Sequence, residues 1–453
     1  MECMELKEKK VIVIGGGISG IGAVLLLSQT GAQILLYDGN KNLRKEEIKA
    51  KLPKDCFVTI QIGEWNADIL KEVDIMIISP GIAIDAPCVT AAKEAGIPVW
   101  GEIELASRFA KGKLAAITGT NGKTTTTALT GAILKAAKED VYVVGNIGIP
   151  YTSIALETKE DTVTVAEISS FQLETIQTFA PQVSAILNIT PDHLNRHKTI
   201  ENYIAVKESI TKNQTEQDTC VLNYEDEVLK EFGASLHTKT VFFSSKRKLE
   251  RGLYLEGEEI VYQTETELLP VVKISEMQLV GIHNVENVMA AAAITYAMGV
   301  PMEKIREAIR SFPGVEHRVE FVCEKDGVVY YNDSKGTNPD ASIQAIRAMS
   351  RPTILIGGGY DKQSEFDDYV KEFGEKVKLL VLIGATKEKI AETARRYGFH
   401  AILFAEDLKE AVSLCKREAK QGDAVLLSPA CASWDMFQSY EQRGILFKEY
   451  VKA

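Results

Sequence analysis

The sequence contains no uninterrupted apolar stretch of the ~18 residues that a membrane-spanning helix needs. Its nearest approach, Val11 to Leu27, carries five glycines and a G-G-G turn signal, so it reads as strand, loop and helix. Met1 to Lys10 is charged and has no apolar signal-peptide core, which argues against export. Cysteine is sparse too. The seven (Cys3, Cys56, Cys88, Cys220, Cys323, Cys415, Cys431) are scattered, odd in number and without a C-x-x-C pair, as expected of reduced thiols in the cytoplasm. Positive charge is in deficit, 52 Lys and Arg against 63 Asp and Glu, and the net charge of -11 disfavours broad nucleic-acid binding. Short-period repeats and low-complexity tracts are also missing, which excludes a solenoid or an array.

What remains is the composition of a folded globular chain: 45% hydrophobic, 25% charged, and 453 residues, about three times the ~150-residue domain expectation. The pattern divides into three α/β units, 1–101, 102–312 and 313–453. In the first, β-branched runs at Val11 to Ile14, Ile34 to Tyr37, Phe57 to Ile60, Ile75 to Ser79 and Pro98 to Trp100 alternate with helical stretches, the rhythm of a parallel sheet. The central unit opens with a second glycine-rich strand, loop and helix at Leu114 to Lys123 and includes strand-like runs at Thr162 to Val165 and Val183 to Ile189. Ser311-Phe312-Pro313-Gly314-Val315 ends the helix Met302 to Ile309, because proline cannot extend it and glycine favours a turn. Beyond it, strands at Val328 to Tyr331, Thr353 to Ile356, Leu379 to Ile383, Ala401 to Phe404 and Ala424 to Leu427 again alternate with helices, including Lys387 to Tyr397 and Asp407 to Ala419.

Two glycine loops carry the chemistry. The first, Gly15-Gly16-Gly17-Ile18-Ser19-Gly20, fits G-x-G-x-x-G, and Asp38 ends the next strand 18 residues after Gly20. Glycines let the backbone approach a diphosphate at a helix N-terminus, and an acidic group can accept from a ligand hydroxyl. This predicts a diphosphate-bearing ligand without fixing it as NAD. The second, Thr118-Gly119-Thr120-Asn121-Gly122-Lys123-Thr124-Thr125, ends as a P-loop does, although only two residues separate its glycines instead of four. Its amides and Lys123 would surround the β and γ phosphates of a nucleotide, and the Thr124 hydroxyl could hold magnesium.

Magnesium asks for hard oxygen ligands, and Glu167, at the end of Val163 to Ala166, is a carboxylate at a strand end. Asn188-Ile189-Thr190-Pro191-Asp192-His193 places polar groups at the end of another strand. His193 and His197 have zinc-like spacing, but Pro191 and the missing third ligand argue against zinc. Lys207, read alone, is a solvated helix lysine.

The loop from Thr118, the stretch E-I-S-S-F-Q-L-E from Glu167 and D-H-L-N-R-H from Asp192 together resemble the ATP-dependent Mur ligases of bacterial cell-wall synthesis. The resemblance extends over nearly the whole chain, through Gly281 to Asn287, Glu316-His317-Arg318, Asn332 to Asn338 and Leu427 to Ser433. Within that family S-P-G-I-A from Ser79, G-N-I-G-I-P from Gly145, and S-P-A-C-A-S with E-Q-R-G at Glu441 to Gly444 are most like the members that join D-glutamate to UDP-N-acetylmuramoyl-L-alanine. The implied fold is a Rossmann-like N-terminal domain, a central P-loop ATPase-type α/β domain and a Rossmann-like C-terminal domain.

The resemblance also implies roles. Gly17, Ile18, Ser19, Asp38, Ser79, Pro80 and Gly81 would hold the uridine diphosphate, with Asn146, Ser169 and Gln172 on the rest of that substrate. Gly119 to Thr125, Asn284, Asn287, His317, Arg318 and Asp333 would bind ATP, with Lys123 on the γ-phosphate. Thr124 and Glu167 would coordinate one magnesium ion and His193 a second, beside a carbamylated Lys207. Lys335, Thr337, Lys362, Ser433, Trp434 and Tyr440 would surround the amino acid. A monomeric cytoplasmic ligase without nucleic-acid or membrane partners is expected; a dehydrogenase using the first loop, a nucleotide-hydrolysing switch, and a sister ligase or folylpolyglutamate synthase are the alternatives.

Overall fold

The strands form three sheets among the residues described by the computed structural model, 6–146 and 148–453. Cys3, Ile147 and the rest of the charged segment before Leu6 lie outside them. The first sheet holds β1 (Lys10–Ile14), β2 (Gln33–Asp38), β3 (Val58–Ile62), β4 (Ile75–Ile78) and β5 (Val99–Gly101) in the order β3-β2-β1-β4-β5, with every pair parallel. Val11, Ile12, Val13 and Ile14 are all buried, because a central parallel strand is covered on both faces. Strand order reverses between β1 and β4, and a crevice opens at such a switch point beyond the strand ends. The loop Gly15 to Gly17 and the turn Ser79 to Ile82 leave those two neighbouring strands.

The second sheet comprises β6 (Lys113–Thr118), β7 (Val141–Gly145), β8 (Val163–Glu167), β9 (Val183–Ile186), β10 (Thr219–Asn223), β11 (Lys239–Ser244), β12 (Gly252–Glu256), β13 (Glu259–Gln263) and β14 (Leu268–Lys273). Its order is β14-β13-β12-β11-β10-β9-β6-β8-β7. The glycine loop after β6 thus lies between the ends of β8 and β9, with Ile117 opposite Glu167 and Thr118 opposite Ile186. The expected strand to Ile189 stops at Ile186, which frees Leu187 to Asp192 as a loop beside the glycines. The strands β7 and β10 to β14 were not among the runs named from the sequence; of these, β12 and β13 form an antiparallel hairpin, joined at Gly257 and Glu258, whose charged rim masks its strand pattern.

The helix Glu102–Ser107 carries the chain from the first sheet to the second and is pinned by buried carboxylates. Glu104 accepts from the backbone N–H groups of Gln177, Thr178 and Phe179, from the Thr178 hydroxyl and from Arg108. Glu102 accepts from Thr152 at 2.9 Å, and burial raises its pKa above the usual carboxylate range.

The third sheet holds β15 (Glu320–Lys325), β16 (Val328–Asn332), β17 (Thr353–Gly357), β18 (Val377–Leu382), β19 (Ile402–Phe404) and β20 (Ala424–Leu427) in the order β15-β16-β20-β17-β18-β19. It is parallel except for β15, which folds back on β16 through Asp326-Gly327. Both turn residues have positive φ, 54° and 74°, as the tight hairpin turn requires. The first two sheets belong to one compact unit, Met1–Val272 with Glu286–Ile309; the third belongs to another, Lys273–Val285 with Arg310–Ala453.

Candidate functional site

In the first compact unit, the second glycine loop brings two lysines together. Gly119 and Gly122 have φ of 147° and 84°, and a Cβ at Gly122 would lie 2.3 Å from Asn287 Oδ1, so both position and space demand glycine. Lys123 opens the helix Lys123–Ala137 and folds its ammonium back onto the carbonyls of Gly119 and Thr120, each at 2.8 Å. Thr124 and Thr125 are buried in the first turn. Asn188 clamps the loop by accepting from Asn121 N–H at 2.8 Å and, through its carbonyl, from Thr120 N–H at 2.9 Å.

Lys207 donates to the same Gly119 carbonyl at 2.8 Å and is 1% exposed, so it is not the solvated lysine that its place on a helix suggested. Burial first, and the Lys123 charge second, push its pKa down to about 6. A buried amine that is largely neutral near pH 7 is a nucleophile toward carbon dioxide, whereas an ammonium is not. Tyr203 packs beneath it, with Lys207 Nζ 4.7 Å from the ring centroid and the Tyr203 hydroxyl 3.1 Å from Thr120 Oγ1.

Glu167 closes β8 and is 1% exposed. Its Oε1 accepts from Asn146 Nδ2 at 2.8 Å, while Oε2 is buried with no hydrogen-bond partner among the described residues. An orphaned carboxylate oxygen costs free energy unless a cation or donor meets it, so this group fits a hard divalent ion beside the phosphate loop. His193 lies on the neighbouring loop in the left-handed region (φ 52°) with its ring exposed, and caps the short helix Leu194–His197. His197 turns inward to Ser170 Oγ at 3.0 Å and faces Glu174 instead of joining His193 at a metal.

The first glycine loop is built differently. A Cβ on Gly20 would lie 1.8 Å from the Gly15 carbonyl, so its glycine brings helix against strand, while Gly17 faces open space. Asp38 accepts from the backbone N–H groups of Gly16 at 2.7 Å and Asn40 at 2.8 Å, which spreads its carboxylate along the loop. Ile18 is 80% exposed at the start of the helix, and the buried Ser79 hydroxyl oxygen has no partner among the described residues. Pro80 and Gly81 complete the turn that Ile82 N–H closes on Ser79 O at 2.9 Å. Ser169 and Gln172 form a reciprocal cap at the helix Ser170–Leu173.

In the second compact unit, Asp333 is buried and accepts from Ser428 Oγ at 2.6 Å; burial pushes its pKa up to about 7. His317 is held by Asn332 at 2.9 Å, and its carbonyl accepts from Lys335 N–H. Arg318 follows it in the turn, and Asn284 donates to the Val280 carbonyl at 2.8 Å. Lys335 lies over the Tyr440 ring at 5.9 Å and Lys362 over Trp434 at 5.0 Å, both within cation–π reach. Thr337 N–H closes a turn on the Lys335 carbonyl, and Ser433 presents a buried hydroxyl without a partner among the described residues. The sequence reading missed Arg443, which is fully buried and ties Ser334 to the carbonyls of Cys431 and Ala432. Its place in E-Q-R-G was the available signal.

These loops on three sheets define a class. The Mur ligase middle domain matches residues 117–295, the Mur ligase glutamate ligase domain residues 317–431, and the Mur ligase MurD-like N-terminal domain residues 9–101. The chain belongs to the Mur ligase family. Among its relatives are proteins named UDP-N-acetylmuramoylalanine--D-glutamate ligase from Lachnoclostridium phytofermentans, 56% identical, and Lachnospira eligens, 57% identical, each aligned over 99% of both chains. Its fold is that of solved Mur ligases: the UDP-N-acetylmuramate-alanine ligase MurC of Thermotoga maritima has a TM-score of 0.60 at 20% identity, covering 98% of this chain and 99% of that one. MurF of the same organism gives 0.57 at 19%, covering 99% and 96%. No helix among the described residues is long and apolar enough to cross a membrane.

Proposed function

We propose that this chain is an ATP-dependent ligase that joins D-glutamate to UDP-N-acetylmuramoyl-L-alanine in cytoplasmic peptidoglycan precursor synthesis, acting as a monomer. The observation that carries the reading is full-length similarity, at 56% and 57% identity, to proteins named for that substrate pair. Its functional segments are 1–101 for the UDP substrate, 102–312 for ATP, and 313–453 for the amino acid and the closure over ATP.

An amide does not form readily from a carboxylate and an ammonium ion, because the carboxylate is a poor electrophile. In the reading proposed, the acceptor carboxylate attacks the γ-phosphorus of ATP and ADP leaves; the D-glutamate amine then attacks the acyl phosphate, and phosphate departs. The protein supplies positioning and charge neutralisation. Lys123 would leave its loop carbonyls for the γ-phosphate, within the cradle Gly119, Thr120, Asn121, Gly122, Thr124 and Thr125. Asn284, Asn287, His317, Arg318 and Asp333 would hold the rest of ATP.

Thr124 with Glu167, and His193 with a carbamylated Lys207, are suited to hold two magnesium ions, which neutralise phosphate charge when bound. Carbamylation would turn a buried amine into an anionic oxygen donor. Gly17, Ile18, Ser19, Asp38, Ser79, Pro80 and Gly81 would take the uridine diphosphate, Asn146, Ser169 and Gln172 the muramoyl-alanine, and Lys335, Thr337, Lys362, Ser433, Trp434 and Tyr440 the amino acid. Phosphate release across D- and L-amino acids, with and without the UDP-linked acceptor, tests this. Release requiring both the acceptor and D-glutamate is expected, and a preference for L-glutamate overturns it.

A further inference from the structure

Arg196 has no part in the site as described, yet it touches three segments that do. It lies on the short helix capped by His193, and its backbone N–H donates to the His193 carbonyl at 2.9 Å. Its Nη2 reaches the Ile82 carbonyl at 2.8 Å, 114 residues away in sequence, at the end of the turn that carries Ser79, Pro80 and Gly81. The same nitrogen donates to Glu174 Oε2 at 2.5 Å, and Nε donates to that carboxylate at 3.2 Å. The guanidinium also covers the Phe171 ring at 4.6 Å, and that ring lies 4.9 Å from the ring of His193. The Arg196 and Glu174 side chains are 12% and 3% exposed.

A largely covered guanidinium, bonded here through Nε and Nη2, is an expensive way to fill space, since an ion pair repays its desolvation only when its geometry is satisfied. What arginine offers is a planar fork that serves a carboxylate with two nitrogens and has a donor left for a carbonyl. Here that extra donor goes to the turn after β4, and the backbone goes to the loop beside the phosphates. Resting on the function proposed above, we infer that Arg196 is a positioning residue that fixes the acceptor's diphosphate turn to the His193 loop, so that anchoring the nucleotide end of the acceptor sets its carboxylate at the phosphate site. The chemistry lies far along the substrate from its anchor, and a misplacement of about 1 Å can cost on the order of 100-fold in rate. A buried link between anchor and reaction centre is therefore a rate device as well as a structural one.

The test is a cycle between residue and substrate. Arg196→Lys keeps a cation beside Glu174 but loses the planar fork that holds the carboxylate through two nitrogens while reaching the Ile82 carbonyl. Amide formation is measured for wild type and R196K with the full UDP-linked acceptor and with muramoyl-L-alanine lacking the UDP. R196K should lose on the order of tenfold or more in kcat/KM with the full acceptor and markedly less with the truncated one, so that the advantage conferred by the anchor shrinks. The double change Arg196→Met with Glu174→Gln removes both buried charges together and should shrink it likewise. Equal losses on both acceptors, or no loss on either, overturn the inference, since general damage to the fold does not distinguish them. If wild type forms no amide with D-glutamate, the proposed function falls and takes this role with it; if it does and the anchor's advantage survives both changes, only the role of Arg196 falls.

Discussion

The two glycine loops of the first compact unit share a strand-loop-helix plan but differ in charge. Around Gly15 to Gly20 the titratable side chain bound to the loop is Asp38, its carboxylate spent on backbone N–H groups, and the helix opens on an exposed Ile18. Around Gly119 to Gly122 two lysine nitrogens converge on one carbonyl, with a carboxylate oxygen at the end of β8 that has no partner among the described residues. A loop that only holds a diphosphate needs backbone amides and room. A loop that must carry a phosphoryl group through a change of charge needs cations whose positions are already fixed.

Lys123→Ala should therefore show the largest effect, a fall in kcat of roughly 100- to 1000-fold with the acceptor's KM little changed, checked by steady-state phosphate release. Glu167→Gln keeps the shape and removes the charge, and should cost on the order of 100-fold, partly relieved at high magnesium. Asp38→Ala should raise the KM for the UDP-linked acceptor about tenfold while kcat holds, the loss of one charge-assisted hydrogen bond. An equal fall in kcat from the change at Asp38 would erase the distinction between the loops.

Smaller effects sharpen the contrast. Lys207 has a pKa of about 6 in the fold against the ordinary 10.5, so between those values the unfolded chain binds more protons. Its contribution to stability is thus present at high pH and is lost as pH falls toward 6. In buffer free of carbon dioxide, the melting temperature of wild type relative to Lys207→Met should rise from pH 6 to pH 8; a flat difference would show that Lys207 titrates normally. Carbon-13 bicarbonate should give a carbamate signal in wild type above that pH and none in the mutant. Gly20→Ala should destabilise by about 1–3 kcal/mol in denaturant melts, because its Cβ has no room against the Gly15 carbonyl.

Both loops were legible in the sequence because glycine at fixed offsets after a β-branched strand has few other uses, and the parallel strands of the first and third sheets were legible because burial on both faces leaves continuous aliphatic runs. The antiparallel additions were harder. In β15, Glu320–Lys325, charged residues stand at both ends of an edge strand and leave an apolar run of only three, and the Asp326-Gly327 turn was the available sign. Lys207 shows the deeper limit. A lysine on a helix is solvated unless tertiary packing covers it, and what covers it here is the Gly119 carbonyl and the Tyr203 ring, 88 and 4 residues away in sequence. Arg196 was hidden for the same reason, since its partner carbonyl at Ile82 belongs to the turn after β4. Trp434 and Lys362 could be assigned to the amino acid by resemblance, but their stacking on each other needed coordinates.

The central claim is that the triphosphate held by Lys123 is used to activate the acceptor's carboxylate. Acceptor labelled with oxygen-18 in that carboxylate tests it most directly, with mass spectrometry of the inorganic phosphate released during ligation. Transfer of one labelled oxygen to phosphate is the result expected of an acyl phosphate. Unlabelled phosphate released in step with amide formation would contradict it.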